Sequence, residues 1–136
     1  MSDTSLFELG EPGPMREQLV QAVLMGQKTA TSALLAQYEA DHEPLPVVGE
    51  ERVMIDSAGE PAGHIVLTDV FVIRLGEADD QLARDEGEGF RDAVEWRAAH
   101  EAFWRTFVLP ELPDGLRLDD DTKVVVERFR LIAGAP

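Results

Sequence analysis

Gly26-Gln27-Lys28-Thr29-Ala30-Thr31-Ser32 is the stretch on which the reading of this chain turns. It brings an ammonium, three hydroxyls and a glycine together within one short run. Lys28 is one of two lysines, the other being Lys123, in a chain that otherwise takes its positive charge from arginine. Lysine is a compact point charge whose protonation responds to burial. A hydroxyl beside it can be made nucleophilic, and a carboxylate can then move the proton. The matching carboxylates lie far downstream, in Glu86-Gly87-Glu88-Gly89.

Upstream of the lysine, Pro12-Gly13-Pro14 breaks structure and lets a helix begin. From Met15 to Met25, apolar residues at Met15, Leu19 and Val23, and at Val20 and Leu24, recur at helical spacing. Gly26 reads as the stop of that helix, which sets Lys28 on a sharp turn just beyond it. A second short helix is expected through Ala33 to Tyr38, with Thr31 or Ser32 as its N-cap. Further on, Arg52 to Asp56 and His64 to Leu75 read as strands, the second long enough to bend or divide. Ala78 to Asp85 reads as a short helix ending at Glu86-Gly87. Asp92 caps another that carries Trp96, His100, Phe103 and Phe107 on one stripe and stops at Leu109-Pro110 and Pro113-Asp114-Gly115. Thr122 to Ile132 is the last strand. No repeat or linker interrupts the chain, and strands with inserted helices point to a mixed α+β fold.

The 136 residues, 44% of them apolar, fit a single domain with an ordinary core. The absence of cysteine excludes disulfides and thiolate chemistry. The net charge of -15, with no two basic residues adjacent, argues against DNA or long RNA as a partner. It leaves room for a neutral nucleoside. The N-terminal Met1-Ser2-Asp3-Thr4 lacks the basic start of a signal peptide. No apolar run approaches the roughly 20 residues of a membrane span. A cytoplasmic location without membrane attachment is expected. His42, His64 and His100 have no metal-ligand spacing, so neither metal nor cofactor is expected.

Taken in order, the 26–32 run, Leu45-Pro46 followed by Gly49, Glu86-Gly87-Glu88-Gly89, Trp96-Arg97, His100 and the closing Val126-Glu127-Arg128-Phe129 resemble the ASCH domain family. The resemblance covers nearly the whole chain, with a core of about residues 7–132 in one domain spanning 1–136. It implies a small PUA-like mixed β-barrel with inserted and flanking helices. One branch of the family hydrolyses the acetyl amide of N4-acetylcytidine with a lysine, a threonine two or three positions on, and a glutamate of an acidic segment. Residue by residue these fall on Lys28, Thr31 and Glu86. Thr29, Ser32, Glu88 and Arg97 are the expected substrate contacts, with a Glu88–Arg97 pair as the alternative for those two. Longer members continue the acidic segment with an aspartate where this chain has Phe90.

Plainer roles stand beside each of these. Lys28 could cap helix carbonyls, Thr31 could be an N-cap, Trp96 and Phe103 read as core, and His100 as a buried structural histidine. The resemblance tips Lys28, Thr31 and Glu86 toward a metal-independent amidohydrolase acting on an acylated cytidine-type nucleoside. The rivals are an RNA- or modified-base-binding module and a ribonuclease.

Overall fold

The structure, a computed structural model, describes residues 5–113 and 116–134. Its frame is a five-stranded sheet, built from β1 (Ser5–Phe7), β2 (Ala30–Leu34), β3 (Glu51–Ile55), β4 (Pro61–Arg74) and β5 (Lys123–Gly134). The spatial order is β1-β3-β4-β5-β2. Only the β1–β3 pair is parallel; the other three are antiparallel. The fold is mixed α+β, and the sheet is open in its hydrogen bonding, with β1 and β2 as its edges. Among the described residues, four α-helices flank it: α1 (Pro14–Leu24), α2 (Leu35–Ala40), α3 (Asp80–Asp85) and α4 (Ala93–Phe103).

Side chains of a strand alternate between faces, and directly paired residues share one. On β5, Val124 and Val126 therefore face one way, and Glu127 lies with Phe129 on the other. The two faces carry two cores. Val124 and Val126 pack with Ala30, Leu34, Leu82, Trp96 and Trp104 beneath α3 and α4. Phe129 packs with Phe7, Val20, Val23, Met54 and Leu67 beneath α1. The long strand β4 serves both, because a register shift between Leu67 and Asp69 changes which face its apolar residues meet. Leu67 lies in the α1 core, whereas Phe71 and Ile73 pack against the other.

Two expectations change. Thr31 and Ser32 do not cap a helix: they are strand residues, paired with Glu127 and Val126 of β5. The helix that follows is capped instead by Gln37, whose Oε1 accepts from the Leu34 N–H at 3.0 Å. The aromatic stripe also turns. After Phe103 the chain widens into a π-helical turn, Trp104–Val108. Trp104 is buried there and Phe107 exposed. The Asp92 cap forms as expected, accepting from the Glu95 N–H at 3.0 Å. The stop at Pro113-Asp114-Gly115 lies partly outside the described residues.

Leu67 is 1% exposed and Val94 77% exposed. Leu67→Ala should lower unfolding free energy by about 2–5 kcal/mol. Val94→Ala should stay within about 0.5 kcal/mol of the parent. Urea denaturation of both proteins checks this placement of the core.

Candidate functional site

Gly26 ends α1 with φ 78. The next two amides, Gln27 and Lys28, both donate to the carbonyl of Ala22. This tight turn swings Lys28 off the helix and into the protein, where it is 2% exposed. The second half of the site comes from the end of α3. Glu86 closes that helix and is fully buried. Gly87 follows with φ 65, and a Cβ there would sit 2.3 Å from the Gln27 carbonyl oxygen. Only glycine allows the two backbones to come so close. The approach is pinned by the Thr29 N–H, which donates to the Asp85 carbonyl at 2.7 Å. The closing Glu127-Arg128-Phe129 motif braces it: Arg128 pairs with Asp85 at 2.7 Å, and the Phe129 N–H donates to the Thr29 carbonyl.

Every partner of the Lys28 Nζ is an acceptor. It donates to the Ala30 carbonyl at 2.9 Å, the Glu86 carbonyl at 3.2 Å, Glu88 Oε2 at 3.2 Å and Glu86 Oε1 at 3.4 Å. This is the arrangement of an ammonium held at a helix C-terminus. The sequence suggested capping of α1; the lysine instead caps α3. Glu86 gathers donors on both oxygens. Ser32 Oγ donates to Oε2 at 2.5 Å and Trp96 Nε1 donates to the same oxygen at 2.8 Å. His100 Nε2 lies 3.2 Å from Oε1.

His100 is thus part of the site as well as a structural residue. Its ring stacks on Trp96 with centroids 4.3 Å apart. Its Nδ1 lies 2.9 Å from the Trp96 carbonyl, which can only accept, so Nδ1 carries a proton. The Nε2–Oε1 contact then holds a further proton shared between imidazole and carboxylate. Burial opposes charge on both groups, but the surroundings outweigh it. Lys28, His100 and Ser32 bring the Glu86 carboxyl down to about 2, and Glu86 holds the His100 imidazolium above its usual value. Such a pair titrates as a unit.

Glu86, Glu88 and His100 present ligand atoms within 4.8 Å of one another, a grouping the histidine spacing did not suggest. The Lys28 ammonium already supplies a cation to both carboxylates.

These groups line a cavity of about 160 Å³, walled by Phe90, Phe103 and Trp104. Phe90 contributes an apolar wall, its ring 5.9 Å from the His100 ring. Thr31 lines the same cavity, and its hydroxyl has no hydrogen-bond partner among the described residues. A larger space of about 480 Å³ adjoins it, sharing Gly10, Thr31, Ser32, Phe103 and Trp104. The cleft therefore has an inner and an outer lobe, with the edge strand β2 as the sill. Arg16 holds the opposite lip, donating to the carbonyls of Leu9 and Gly10 at 3.0 Å each.

Of the residues expected to contact substrate, Ser32 and Glu88 line the inner lobe and Thr29 and Arg97 do not. Thr29 Oγ1 turns to the Asp85 carbonyl at 3.4 Å. Arg97 is drawn away by Glu101 at 2.7 Å and Asp120 at 2.6 Å, so Glu88 pairs with Lys28 and not with Arg97. Sequence reasoning placed Tyr38 at the end of a helix, Arg52 in a strand and Glu127 in the closing motif, but gave none of them a place in the outer lobe.

The ASCH domain profile matches residues 6–133, and the chain belongs to the ASCH domain family, which has a PUA-like fold. Among solved structures, it is similar to a protein of Enterococcus faecalis V583, at TM-score 0.87 and 24% identity over 98% of this chain and 79% of that one. An ASCH domain of Lactobacillus crispatus JV V101 matches at TM-score 0.84 and 25% identity, over 95% of this chain and 79% of that one. A mutant ASCH protein of Zymomonas mobilis matches at TM-score 0.51 and 12% identity, over 84% and 63% of the two chains. No curated protein matches. Among the described residues, no helix is long and apolar enough to cross a membrane.

Two outcomes test the site's construction. Gly87→Ala forces the Gln27 carbonyl away and should lower the melting temperature by several degrees, as about 1 kcal/mol or more does for a domain of this size. Thermal melts follow that loss. The second outcome is the pH dependence of stability. The lowered Glu86 pKa gives stability that is present above the ordinary carboxyl value of 4.5 and lost as pH falls toward about 2. The raised His100 pKa gives stability that is complete below 6.5 and lost as pH rises through the raised value. Melting temperature should therefore decline on the alkaline side, and His100→Gln should flatten that decline.

Proposed function

We propose that the inner lobe hydrolyses an amide, without a metal ion, on an acylated cytidine-type nucleoside. The observation that carries this reading is the buried Lys28–Glu86 pair, 3.4 Å apart, with hydroxyls beside it on the wall of a small cleft. Burial of the pair strengthens its electrostatic interactions because water no longer screens them.

The scissile carbonyl enters the inner lobe. Glu88, whose side chain is 26% exposed, is the most exposed of the partners of Lys28. Its displacement by the carbonyl oxygen frees a Lys28 N–H to stabilise the negative charge that develops there. Thr31, whose hydroxyl is uncommitted, attacks, or orients a water that attacks. The carbon–nitrogen bond then breaks, and the leaving amine takes a proton. That proton comes from the Glu86–His100 pair: a carboxylate with a pKa near 2 is a poor acid alone, whereas the imidazolium beside it is a competent one. The O–H proton lost by the nucleophile replaces the one that the pair gives to the leaving amine. Where Thr31 attacks, a water then cleaves the acyl–Oγ1 ester, releasing the acid and restoring the hydroxyl.

Ser32 is the second candidate for the nucleophile. Its hydroxyl already donates to Glu86 Oε2, the contact that activation by a base requires. Thr31→Val and Ser32→Ala separate the two.

Purified protein should release acetate from N4-acetylcytidine in the presence of EDTA. Glu86→Gln and His100→Gln should each reduce turnover by about 10²–10⁴-fold. Of Thr31→Val and Ser32→Ala, the one that removes the nucleophile should nearly abolish turnover. Melts of each variant confirm folding. Parent-level turnover by folded Glu86→Gln, or an absence of acetate release by the parent, refutes the reading. Tight RNA binding at physiological salt would favour the binding-module alternative.

A further inference from the structure

The inner lobe has a second wall that the reaction leaves unused. Lys28, Glu86, Glu88 and His100 form its polar side, and Met15, Leu19, Phe90 and Ala99 an apolar one. None of these residues lines the outer lobe, which the inner lobe meets at Gly10, Thr31, Ser32, Phe103 and Trp104. The apolar wall therefore lies away from the junction, past the reacting groups.

A scissile amide beside Lys28 sends its two substituents in opposite directions, because the amide is planar and prefers the trans form. One substituent is a nucleoside and the other an acyl chain. The outer lobe, about 480 Å³ against about 160 Å³, is the one with room for the nucleoside. The acyl chain is then directed onto Met15, Leu19, Phe90 and Ala99. An acetyl group places a single methyl there. A water needs only about 10–15 Å³ of such space, so the inner lobe holds several groups of that size. Its wall also yields. Met15 is 40% exposed, and an unbranched thioether adapts to what it meets. Met15, Leu19 and Phe90 also line a groove of about 920 Å³ beside α1, so the wall between the two spaces is thin.

We infer that Met15, Leu19, Phe90 and Ala99 form an acyl pocket, and that the substrate class extends to straight aliphatic chains longer than acetyl, with butyryl preferred. The inference rests on the amidohydrolase reading for the direction of the ligand, but seating the chain requires no reaction. Each methylene buried on the wall should strengthen binding about four-fold. The gain persists in the transition state, so it raises kcat/KM. A chain ending in a carboxylate is rejected, since it would lose its water against side chains that offer no donor.

The test has a binding arm and a kinetic arm. The chain has four methionines, so methyl carbon-13 labelling of the full-length protein gives a simple spectrum. Met15 is assigned by its loss in Met15→Leu; the buried Met54 and the exposed Met25 are internal controls. The probes are N4-butylcytidine and N4-ethylcytidine, which match the butyryl and acetyl chains in length and have no amide to hydrolyse. N4-butylcytidine should shift Met15, leave Met54 in place, and bind about ten-fold tighter than N4-ethylcytidine by calorimetry. In the kinetic arm, kcat/KM for N4-butyrylcytidine should exceed that for N4-acetylcytidine about ten-fold. N4-succinylcytidine, of the same length, should fall roughly ten-fold or more below butyryl. Ala99→Leu fills the pocket from an exposed helix position and should bring the butyryl-to-acetyl ratio toward one. An unmoved Met15 signal, equal binding of the two probes, a parent ratio near one, or an unchanged ratio in folded Ala99→Leu each overturns the inference. The two readings fail separately. A shifted Met15 and tighter butyl binding, with no acid released from either amide, sinks the reaction and keeps the pocket. Hydrolysis of both amides at equal kcat/KM, with Met15 unmoved, does the reverse.

Discussion

One ammonium joins the two halves of this molecule. The Lys28 Nζ is reached from the end of α1, and three of its four acceptors belong to the segment that follows α3. Each helix covers a different core on a different face of the sheet. The ion pair at their junction is buried on both sides, and such a pair carries a large desolvation cost that only good geometry and further hydrogen bonds offset. Here those bonds come from Ser32, Trp96 and His100. Removing one charge would strand the other, so the packing of the Gly26 turn, the Gly87 approach and the Trp96 indole are all bound to the same requirement. Substituting well-packed apolar residues for the pair would relieve that cost.

The same constraint explains what was legible in the sequence. A lone lysine among hydroxyls and a glutamate between glycines are local patterns, and their family resemblance joined them across the intervening chain. The helices with strong punctuation, bounded by Pro14 and Gly26 or begun by Asp92, were readable because caps and breakers act within a few residues. β2 was not. Ala30-Thr31-Ser32-Ala33-Leu34 has no bulky β-branched alternation, and it is a strand because β5 pairs with it, which no local rule reveals. β1 is shorter still. The π-helical turn was equally hidden: helical periodicity extrapolated past Phe103 puts Phe107 inward, whereas the wider turn buries Trp104. The partners of the arginines could not be read either. Arg97 looked free to meet Glu88, but Glu101 lies one turn along its own helix and wins by proximity.

Charge is distributed with the same economy. The protein is strongly acidic, and among its arginines Arg16, Arg52, Arg97 and Arg128 are each held by a carboxylate or a backbone carbonyl. The positive charge lining the cleft is confined to single groups that are buried or paired, Lys28 in the inner lobe and Arg52 in the outer.

The place of β5 in the sheet has a consequence for synthesis. It is the last strand among the described residues, yet it lies between β4 and β2 and pairs with both. A chain emerging from the ribosome can form its helices and the β3–β4 hairpin, but β2 has nothing to pair with until residue 123 and those beyond it are free. The Lys28 turn, braced by Arg128 and Phe129, waits with it. Long-range pairing of this kind slows folding. The acidic composition keeps the waiting chain apart from its neighbours, since like charge opposes association before the sheet is complete. The Lys28–Glu86 arrangement is thus completed only once β5 is available to pair with β2.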